Sequence, residues 1–233
     1  MAFNFSVFRT RALTALVFVA VMLVGLFWNF QAFLVLFCVI HFGCWYEFVK
    51  LLKKIAPRKY LGYCFLGLIY ISLPCLMMID FRTMFLNDYD VKTVLEFGTT
   101  LPIGIFCSIW LNDTLAYLVG SFIGKTPLSK ISPKKTVEGT AGGILLSTIL
   151  IGYLFPLLID NYFDPFFKHY NWFIIAATCA VFGTIGDLIE SKLKRMANVK
   201  DSGSFMPGHG GFLDRFDSML LAVPFVWLYV MLS

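Results

Sequence analysis

Two apolar runs near the start of the chain decide the fold: ALTALVFVAVMLVGLFW at residues 12–28 and FQAFLVLFCVIHFGCWYEFV at residues 30–49. Each run approaches the length of about 20 residues that an α-helix needs to cross the hydrocarbon core of a bilayer. Only a few uncharged residues around Trp28 and Asn29 lie between them. The two runs therefore predict a tight hairpin of membrane helices.

The composition of the whole chain agrees with a membrane protein. Hydrophobic residues make up 59% of the 233 residues, charged residues make up 14%, and 26 residues are phenylalanine. A soluble globular domain is about 45–50% apolar and about 25% charged. This composition excludes a soluble domain, a disordered chain and a collagen. The six cysteines form no C-x-x-C pair and are interpreted as buried apolar residues rather than disulfide or metal partners.

Five more apolar runs follow, which brings the predicted number of spans to about seven. They cover residues 60–79, 97–122, 139–159, 171–190 and 216–232. Backbone groups in a bilayer must be paired within the segment, which helices achieve. The predicted fold is therefore all-α, a polytopic bundle of membrane helices. We assign residues 1–100 to N-terminal membrane helices and residues 101–233 to a catalytic membrane region.

The basic residues predict the orientation of the spans. Sixteen of the 19 basic residues precede span one or lie between spans two and three, four and five, or six and seven. Only Arg82, Lys92 and Lys168 fall on the opposite side. The positive-inside rule then places the N-terminus and the polar loops in the cytoplasm. The net charge of +5 is interpreted as this topology signal and not as a nucleic-acid surface.

A first polar constellation runs from Asn112 to Gly143. Asp113 lies inside the fourth span, where a carboxylate is costly and indicates function, although a packing hydrogen bond is the alternative. The loop that follows carries Lys125, Lys130, Lys134 and Lys135 together with Ser129, Ser132 and Thr136. Lysines, hydroxyls and glycine amides can hold a polyphosphate, whereas the alternative is a solvated basic loop. The spacing of Gly139 and Gly143 favours close helix packing.

A second constellation lies at the end of the sixth span, in the stretch GDLIESKLKR. If the helix continues, Asp187, Ser191 and Lys194 share one face at positions i, i+4 and i+7. A carboxylate, a hydroxyl and an ammonium on one helix face suit a metal-bound phosphate. Glu190 lies three residues from Asp187 and can join this group.

The third constellation is KDSGSFMPGHGGFLDRFDS, residues 200–218. Asp214 and Asp217 are three residues apart at the start of the last span, so they share a face if that segment is helical. Oxygen ligands without a Cys/His set suit Mg²⁺. His209 is either a phosphate contact or a residue that structures the loop. Together the three constellations indicate phosphoryl or nucleotidyl transfer at a membrane surface. A transporter is the alternative outside enzymes, but the charges cluster at span ends rather than at mid-bilayer.

Residues 112–218 resemble the phosphatidate cytidylyltransferase (CDP-diacylglycerol synthase) family. The resemblance is carried by Ser191, Lys194, Arg195, Lys200, Asp201, Gly203, Pro207, His209, Gly210, Gly211, Asp214, Arg215 and Asp217, and earlier by Asp113 and the stretch ISPKKTVEG at residues 131–139. It implies the reaction of CTP with phosphatidate to give CDP-diacylglycerol and pyrophosphate for phospholipid synthesis. It also implies Mg²⁺, a second monovalent cation such as K⁺, a homodimer and a bacterial inner membrane. The alternative within enzymes is a CTP-dependent enzyme acting on another lipid phosphate or on a polyprenol.

The constellations and the resemblance together nominate the site residues. The catalytic candidates are Asp187, Ser191, Lys194, Asp214 and Asp217. By similarity, Asp187 and Asp214 are metal ligands and Asp217 is a third. The candidates for binding CTP or the lipid phosphate are Asp113, Lys134, Lys135, Thr136, Glu138, Arg195, Lys200, Asp201, His209 and Arg215.

Overall fold

The computed structural model describes residues 5–84, 98–162, 170–205 and 210–233. Within these ranges the regular structure is helical, apart from isolated bridge positions such as the pair Pro127 and Thr136. The prediction of an all-α fold is therefore confirmed. His209 lies outside the described residues, as do Lys92 and Lys168.

The helices follow the predicted spans closely. Their bounds are α1 (Phe5–Phe27), α2 (Phe30–Ile55), α3 (Tyr60–Gly67), a π-helical turn (Leu68–Ser72), α4 (Leu73–Thr83), α5 (Thr100–Ile123), α6 (Val137–Tyr162), α7 (Trp172–Met196) and α8 (Leu213–Leu232). In the described part of the chain, six helical segments are long and apolar enough to cross a membrane, with α3, the π turn and α4 acting as one segment. A shorter apolar stretch, Ala12–Phe27, lies within α1. The chain is thus a multi-pass membrane protein.

Several helices extend beyond the apolar runs at the ends that carry charge. Helix α2 continues to Ile55, α7 continues to Met196, and α8 already begins at Leu213. Backbone hydrogen bonds do not require an apolar side chain, so a helix can project past the hydrophobic run into the polar zone. The extension of α7 confirms the prediction that the helix continues through Ser191 and Lys194.

The chain divides into two compact units. Unit 1 contains Met1–Cys75 and Leu193–Phe216, and unit 2 contains Leu76–Lys192 and Asp217–Ser233. The predicted functional division at residue 100 stays a prediction.

Unit 1 is built on the α1–α2 hairpin. The side chain of Asn29 caps α2 by accepting a hydrogen bond of 2.7 Å from the backbone N–H of Ala32. A side chain at Gly25 would overlap Leu36, so glycine allows the two helices to approach closely. The predicted hairpin is confirmed.

Unit 2 is held together by close packing of α5 against α6. A Cβ at Gly139 would overlap the carbonyl oxygen of Ala116 and Cα of Gly120, and a Cβ at Gly143 would overlap Ala116. This confirms that the Gly139/Gly143 spacing serves helix packing. In the same unit, the rings of Phe182 and Phe225 stack with their centroids 3.5 Å apart and join α7 to α8.

Candidate active site

A hydrogen-bonded group around Asp214 lies at the polar end of unit 1. The Lys194 Nζ donates to Asp214 Oδ1 at 2.6 Å, and these side chains are only 13% and 8% exposed. Asp214 Oδ2 accepts from the backbone N–H of Ser202 at 2.9 Å and from that of Gly211 at 2.8 Å. The Ser202 hydroxyl lies 2.8 Å from the same oxygen. We call this group, with Glu47 described next, the Asp214 node.

Glu47 on α2 belongs to this node, although it is not among the predicted site residues. Its side chain is buried, with 3% exposure. Oε2 accepts from the backbone N–H of Leu213 at 2.9 Å and lies 2.7 Å from Ser202 Oγ. Because a serine hydroxyl carries one proton, Ser202 donates to one of the two carboxylates at a time and bridges them. The sequence does contain a signal for Glu47, because it is a carboxylate within an apolar helix, as Asp113 is.

Glycines make room for the two carboxylates of the node. A Cβ at either Gly203 or Gly211 would overlap the carboxylate of Glu47. Gly210 adopts φ +85°, and a Cβ there would overlap the carboxylate of Asp214. The Gly-rich stretch thus lets the backbone wrap two buried acids.

The end of α7 positions Lys194 for the node. The backbone N–H of Val199 donates to the carbonyl of Lys194 at 3.0 Å, and Asn198 takes the left-handed conformation with φ 54°. Asparagine tolerates this conformation at a helix end. The chain therefore turns sharply after α7 and returns as the loop that carries Ser202.

A second group, which we call the acidic cluster, lies in unit 2. It consists of Asp113 on α5, Asp187 on α7, Asp217 on α8 and Lys135 from the α5–α6 loop. The Lys135 Nζ lies 2.5 Å from Asp187 Oδ2. Asp113 and Asp217 each interact electrostatically with both members of this pair. Three carboxyl groups around one ammonium offer oxygen donors of the kind that hard cations prefer.

Asp217 is the most enclosed carboxylate of the cluster. It is 6% exposed, and its Oδ1 accepts from the backbone N–H of Ser218 at 2.7 Å. A Cβ at Gly186 would overlap the carbonyl oxygen of Asp217, so the glycine allows α7 and α8 to approach closely here. This approach brings Asp187 and Asp217 from neighbouring helices into one cluster.

The basic loop before α6 is folded by its own polar residues. Both Glu138 oxygens lie 3.2 Å from the backbone N–H of Thr126, and one accepts from that of Lys125 at 3.1 Å. Thr136 Oγ1 accepts from the backbone N–H of Gly139 at 3.1 Å in the first turn of α6. Thr136 and Glu138 therefore structure the loop, which holds Lys135 towards Asp187 and leaves Lys134 exposed.

The other nominated residues have fewer contacts. Arg195, Lys200, Asp201 and Arg215 are exposed, and Ser191 is half-buried. The Arg195 guanidinium lies 3.5 Å from the carbonyl oxygen of Val199. Arg195 and Lys200 therefore expose positive charge close to the node in sequence.

The predicted metal ligands are divided between the two groups: Asp187 and Asp217 belong to the acidic cluster, and Asp214 belongs to the node. In the described ranges, no three Asp, Glu, His or Cys side chains converge in an arrangement ready to hold a metal ion. The oxygen-only donors of the acidic cluster fit Mg²⁺ chemically. The ammonium of Lys135 stands against Asp187 and would have to leave that carboxylate for a cation to bind there.

Comparison with known proteins gives consistent matches. The model of the cytidylyltransferase family matches residues 70–233. The phosphatidate cytidylyltransferase of Bacillus subtilis (strain 168) is 41% identical over 144 residues, or 61% of this chain and 52% of the relative. That of Rickettsia bellii (strain RML369-C) is 34% identical over 224 residues, or 93% of this chain and 88% of the relative. That of Staphylococcus aureus (strain COL) is 37% identical over 193 residues, or 79% of this chain and 70% of the relative.

The extent of these matches differs between relatives. The aligned part spans about half the length of the Bacillus subtilis relative but most of the Rickettsia bellii relative. The family match includes the acidic cluster, Lys194 and Asp214, whereas Glu47 precedes the matched residues.

Proposed function

The chain belongs to the cytidylyltransferase family, and from this premise we propose that it transfers CMP from CTP to phosphatidate. The products are CDP-diacylglycerol, an intermediate for phospholipid synthesis, and pyrophosphate. One observation carries the proposal: the family match spans residues 70–233 and includes the acidic cluster together with Lys194 and Asp214 of the node, and the relatives matching there are phosphatidate cytidylyltransferases.

The proposed reaction is an in-line displacement at phosphorus. A phosphate oxygen of phosphatidate forms a new bond to the α-phosphorus of CTP, and the bond from that phosphorus to the bridging α–β oxygen breaks. Pyrophosphate leaves with the bonding electrons. Because the attacking phosphate is already an anion, no strong general base is required. The protein must instead hold two anions together and offset the charge that develops.

The basic residues supply the charge needed to hold these anions. We assign Lys194, Arg195 and Lys200 to the triphosphate or the leaving pyrophosphate, and we extend this role to Arg215. Lys134 and Lys135 are assigned to nucleotide or lipid phosphate, supported by the loop that Thr136 and Glu138 hold in place. The predicted roles of Ser191, Asp201 and His209 in substrate contact stay proposals.

We propose Mg²⁺ as the cofactor, held by Asp187 and Asp217, with Asp113 contributing negative charge. The role of Asp214 as a metal ligand, which the family resemblance implies, stays a prediction. When bound, the ion neutralises phosphate charge and stabilises the transition state. Lys135, released from Asp187, would then be available to an incoming phosphate. A monovalent cation such as K⁺ is carried forward from the family resemblance.

We place the enzyme in the cell membrane with its polar groups facing the cytoplasm. The support is the unequal distribution of basic residues, sixteen on one side and three on the other. Phosphatidate would then be reached from within the bilayer and CTP from the cytoplasm. The proposed homodimer rests on the family resemblance and is tested by the molar mass of the purified protein in detergent.

The deciding experiment supplies purified protein with CTP labelled in the cytidine, phosphatidate and Mg²⁺. The expected result is a lipid-soluble cytidine product, with equimolar pyrophosphate in the aqueous phase. Parallel reactions contain a polyprenol or a different lipid phosphate as the acceptor. A labelled product that forms only with one of those acceptors would rule out phosphatidate as the substrate. It would still support nucleotidyl transfer as the type of reaction.

A further inference from the structure

Unit 1 contains an apolar cavity of about 400 Å³. It lies between α1, α2 and three phenylalanines that flank the node in sequence, Phe205, Phe212 and Phe216. Among its lining residues only Thr14 carries a polar side chain. The volume falls within the range of pockets for small ligands, about 300–1,000 Å³. Apart from Thr14, the described residues of the lining offer no polar side chain to a nucleotide or a metal ion.

The cavity has a buried floor and an exposed mouth. Met22, Ile40 and Phe216 line the floor and are 1–2% exposed. Val17 and Val39 lie at the mouth and are 62% and 49% exposed. In a multi-pass membrane protein, exposed apolar side chains on such helices face lipid tails. A hydrocarbon chain can therefore enter from the bilayer without crossing a polar layer.

The wall of the cavity is continuous with the polar node. Phe212 stands between Gly211 and Leu213, whose backbone N–H groups bind Asp214 and Glu47. The Phe212 ring packs so closely on α2 that a Cβ at Gly43 would overlap it. The position of the apolar wall is thus fixed by the same short segment that fixes the two carboxylates.

From this continuity we propose that the cavity binds one acyl chain of the lipid phosphate substrate. The inference rests on the proposed function and adds the place where the lipid tail lies. The reaction brings the lipid phosphate to the triphosphate, so the exposed cations next to the node in sequence, Arg195 and Lys200, also carry charge opposite to that of the lipid headgroup. An apolar cavity whose wall continues into the segment near these exposed cations matches an anionic lipid, with the tail between α1 and α2.

The test uses a phosphatidate that carries a photoactivatable diazirine in the middle of one acyl chain. Irradiation in detergent micelles without CTP, followed by peptide mass spectrometry, should label α1 and α2 at the cavity. Unlabelled phosphatidate should compete, whereas phosphatidylcholine in equal excess should not. Labelling at other positions, or equal competition by both lipids, would overturn the proposal.

Two matched variants on α1 separate the cavity from its surroundings. Val17→Trp places an indole in the mouth and should reduce cavity labelling at least fivefold. Val19 is also an exposed valine, at 43%, but is not part of the lining, so Val19→Trp should label like wild type. Equal labelling in both variants would overturn the proposal. If Val17→Trp does not fold, Val21→Phe fills the same mouth with a smaller ring.

Activity measurements distinguish this inference from the proposed function. Val17→Trp should raise KM for long-chain phosphatidate at least tenfold and leave turnover of a water-soluble dibutyryl phosphatidate unchanged, since such short tails do not fill the cavity. Cytidylyl transfer with normal kinetics in Val17→Trp would contradict the cavity as the acyl-chain site and would not affect the proposed function. Competed labelling without any cytidylyl transfer would support the cavity as a lipid site and overturn the function.

Discussion

Replacement of Glu47 is the sharpest test of the structural reasoning, since this residue entered the site only through the fold. Its Oε2 accepts a hydrogen bond of 2.9 Å from the Leu213 backbone and lies 2.7 Å from the Ser202 hydroxyl. Both partners belong to the segment that also bonds to Asp214. Replacing Glu47 should therefore destabilise the node through its hydrogen bonds to Ser202 and Leu213, while the acidic residues of the sequence motif stay unchanged.

The size of the effect follows from what each replacement leaves unpaired. Glu47→Ala leaves the Leu213 N–H without its acceptor, at about 1–3 kcal/mol, and opens space beside Gly203 and Gly211. We expect a total loss of about 3–5 kcal/mol in the free energy of unfolding. Glu47→Gln keeps an oxygen for both donors but removes the charge, so we expect a loss of about 1–2 kcal/mol.

Catalysis should follow the same order. A shift of about 1 Å in a positioned group can reduce turnover about 100-fold, which we expect for Glu47→Ala. Glu47→Gln should retain a tenth of the activity or more. The measurements are kcat and KM for CTP, together with thermal unfolding in detergent.

Asp80 provides the matched control for Glu47. It is another acid within a membrane helix, and its Oδ2 accepts from the indole N–H of Trp227 at 2.7 Å. Asp80→Asn keeps that acceptor and should leave kcat and KM for CTP unchanged. A Glu47→Ala protein with wild-type melting temperature and wild-type kcat would refute the role assigned to Glu47.

Three further predictions concern the nominated residues. Lys194→Ala should lose most activity and about 3–5 kcal/mol of stability, because it leaves Asp214 as an uncompensated buried charge. Lys192 is exposed, so Lys192→Ala should retain both activity and stability. Equal, mild effects of the two variants would contradict the helix-face interpretation. EDTA should abolish activity, and Mg²⁺ should restore it. Asp214→Asn, which turns an amide N–H₂ towards the Lys194 ammonium, should reduce kcat by orders of magnitude. A near-normal kcat in folded Asp214→Asn protein would show that the residue is not part of the site. Cysteines introduced at Ser204 and Asn87 should react with membrane-impermeant reagents from the cytoplasmic and the outer side, respectively, and the reverse pattern would overturn the topology.

The sequence alone determined the helical membrane architecture, because a bilayer leaves few ways to pair the backbone and the apolar runs mark the spans. It also singled out Asp187, Lys194 and Asp214, since helical spacing places the carboxylate of the first and the ammonium of the second on one face, and the last two match the motif of the family. The helical spacing of Ser191 and Lys194 could be predicted because α7 is a local structure. These conclusions depend on short stretches of chain and therefore need no knowledge of the packing.

Only the tertiary structure decided which of these groups are partners. Glu47 and Ser202 are 155 residues apart in the chain, and no local pattern links them. Lys194 turned out to pair with Asp214, and Lys135 with Asp187, although all four had been expected to face phosphate or metal. Such pairs depend on how closely helices approach, and that approach depends on glycines such as Gly186 and Gly211, whose neighbours come from distant segments. The periodicity of a sequence records the face on which a side chain lies, whereas the residue opposite it is fixed by the packing of the whole unit.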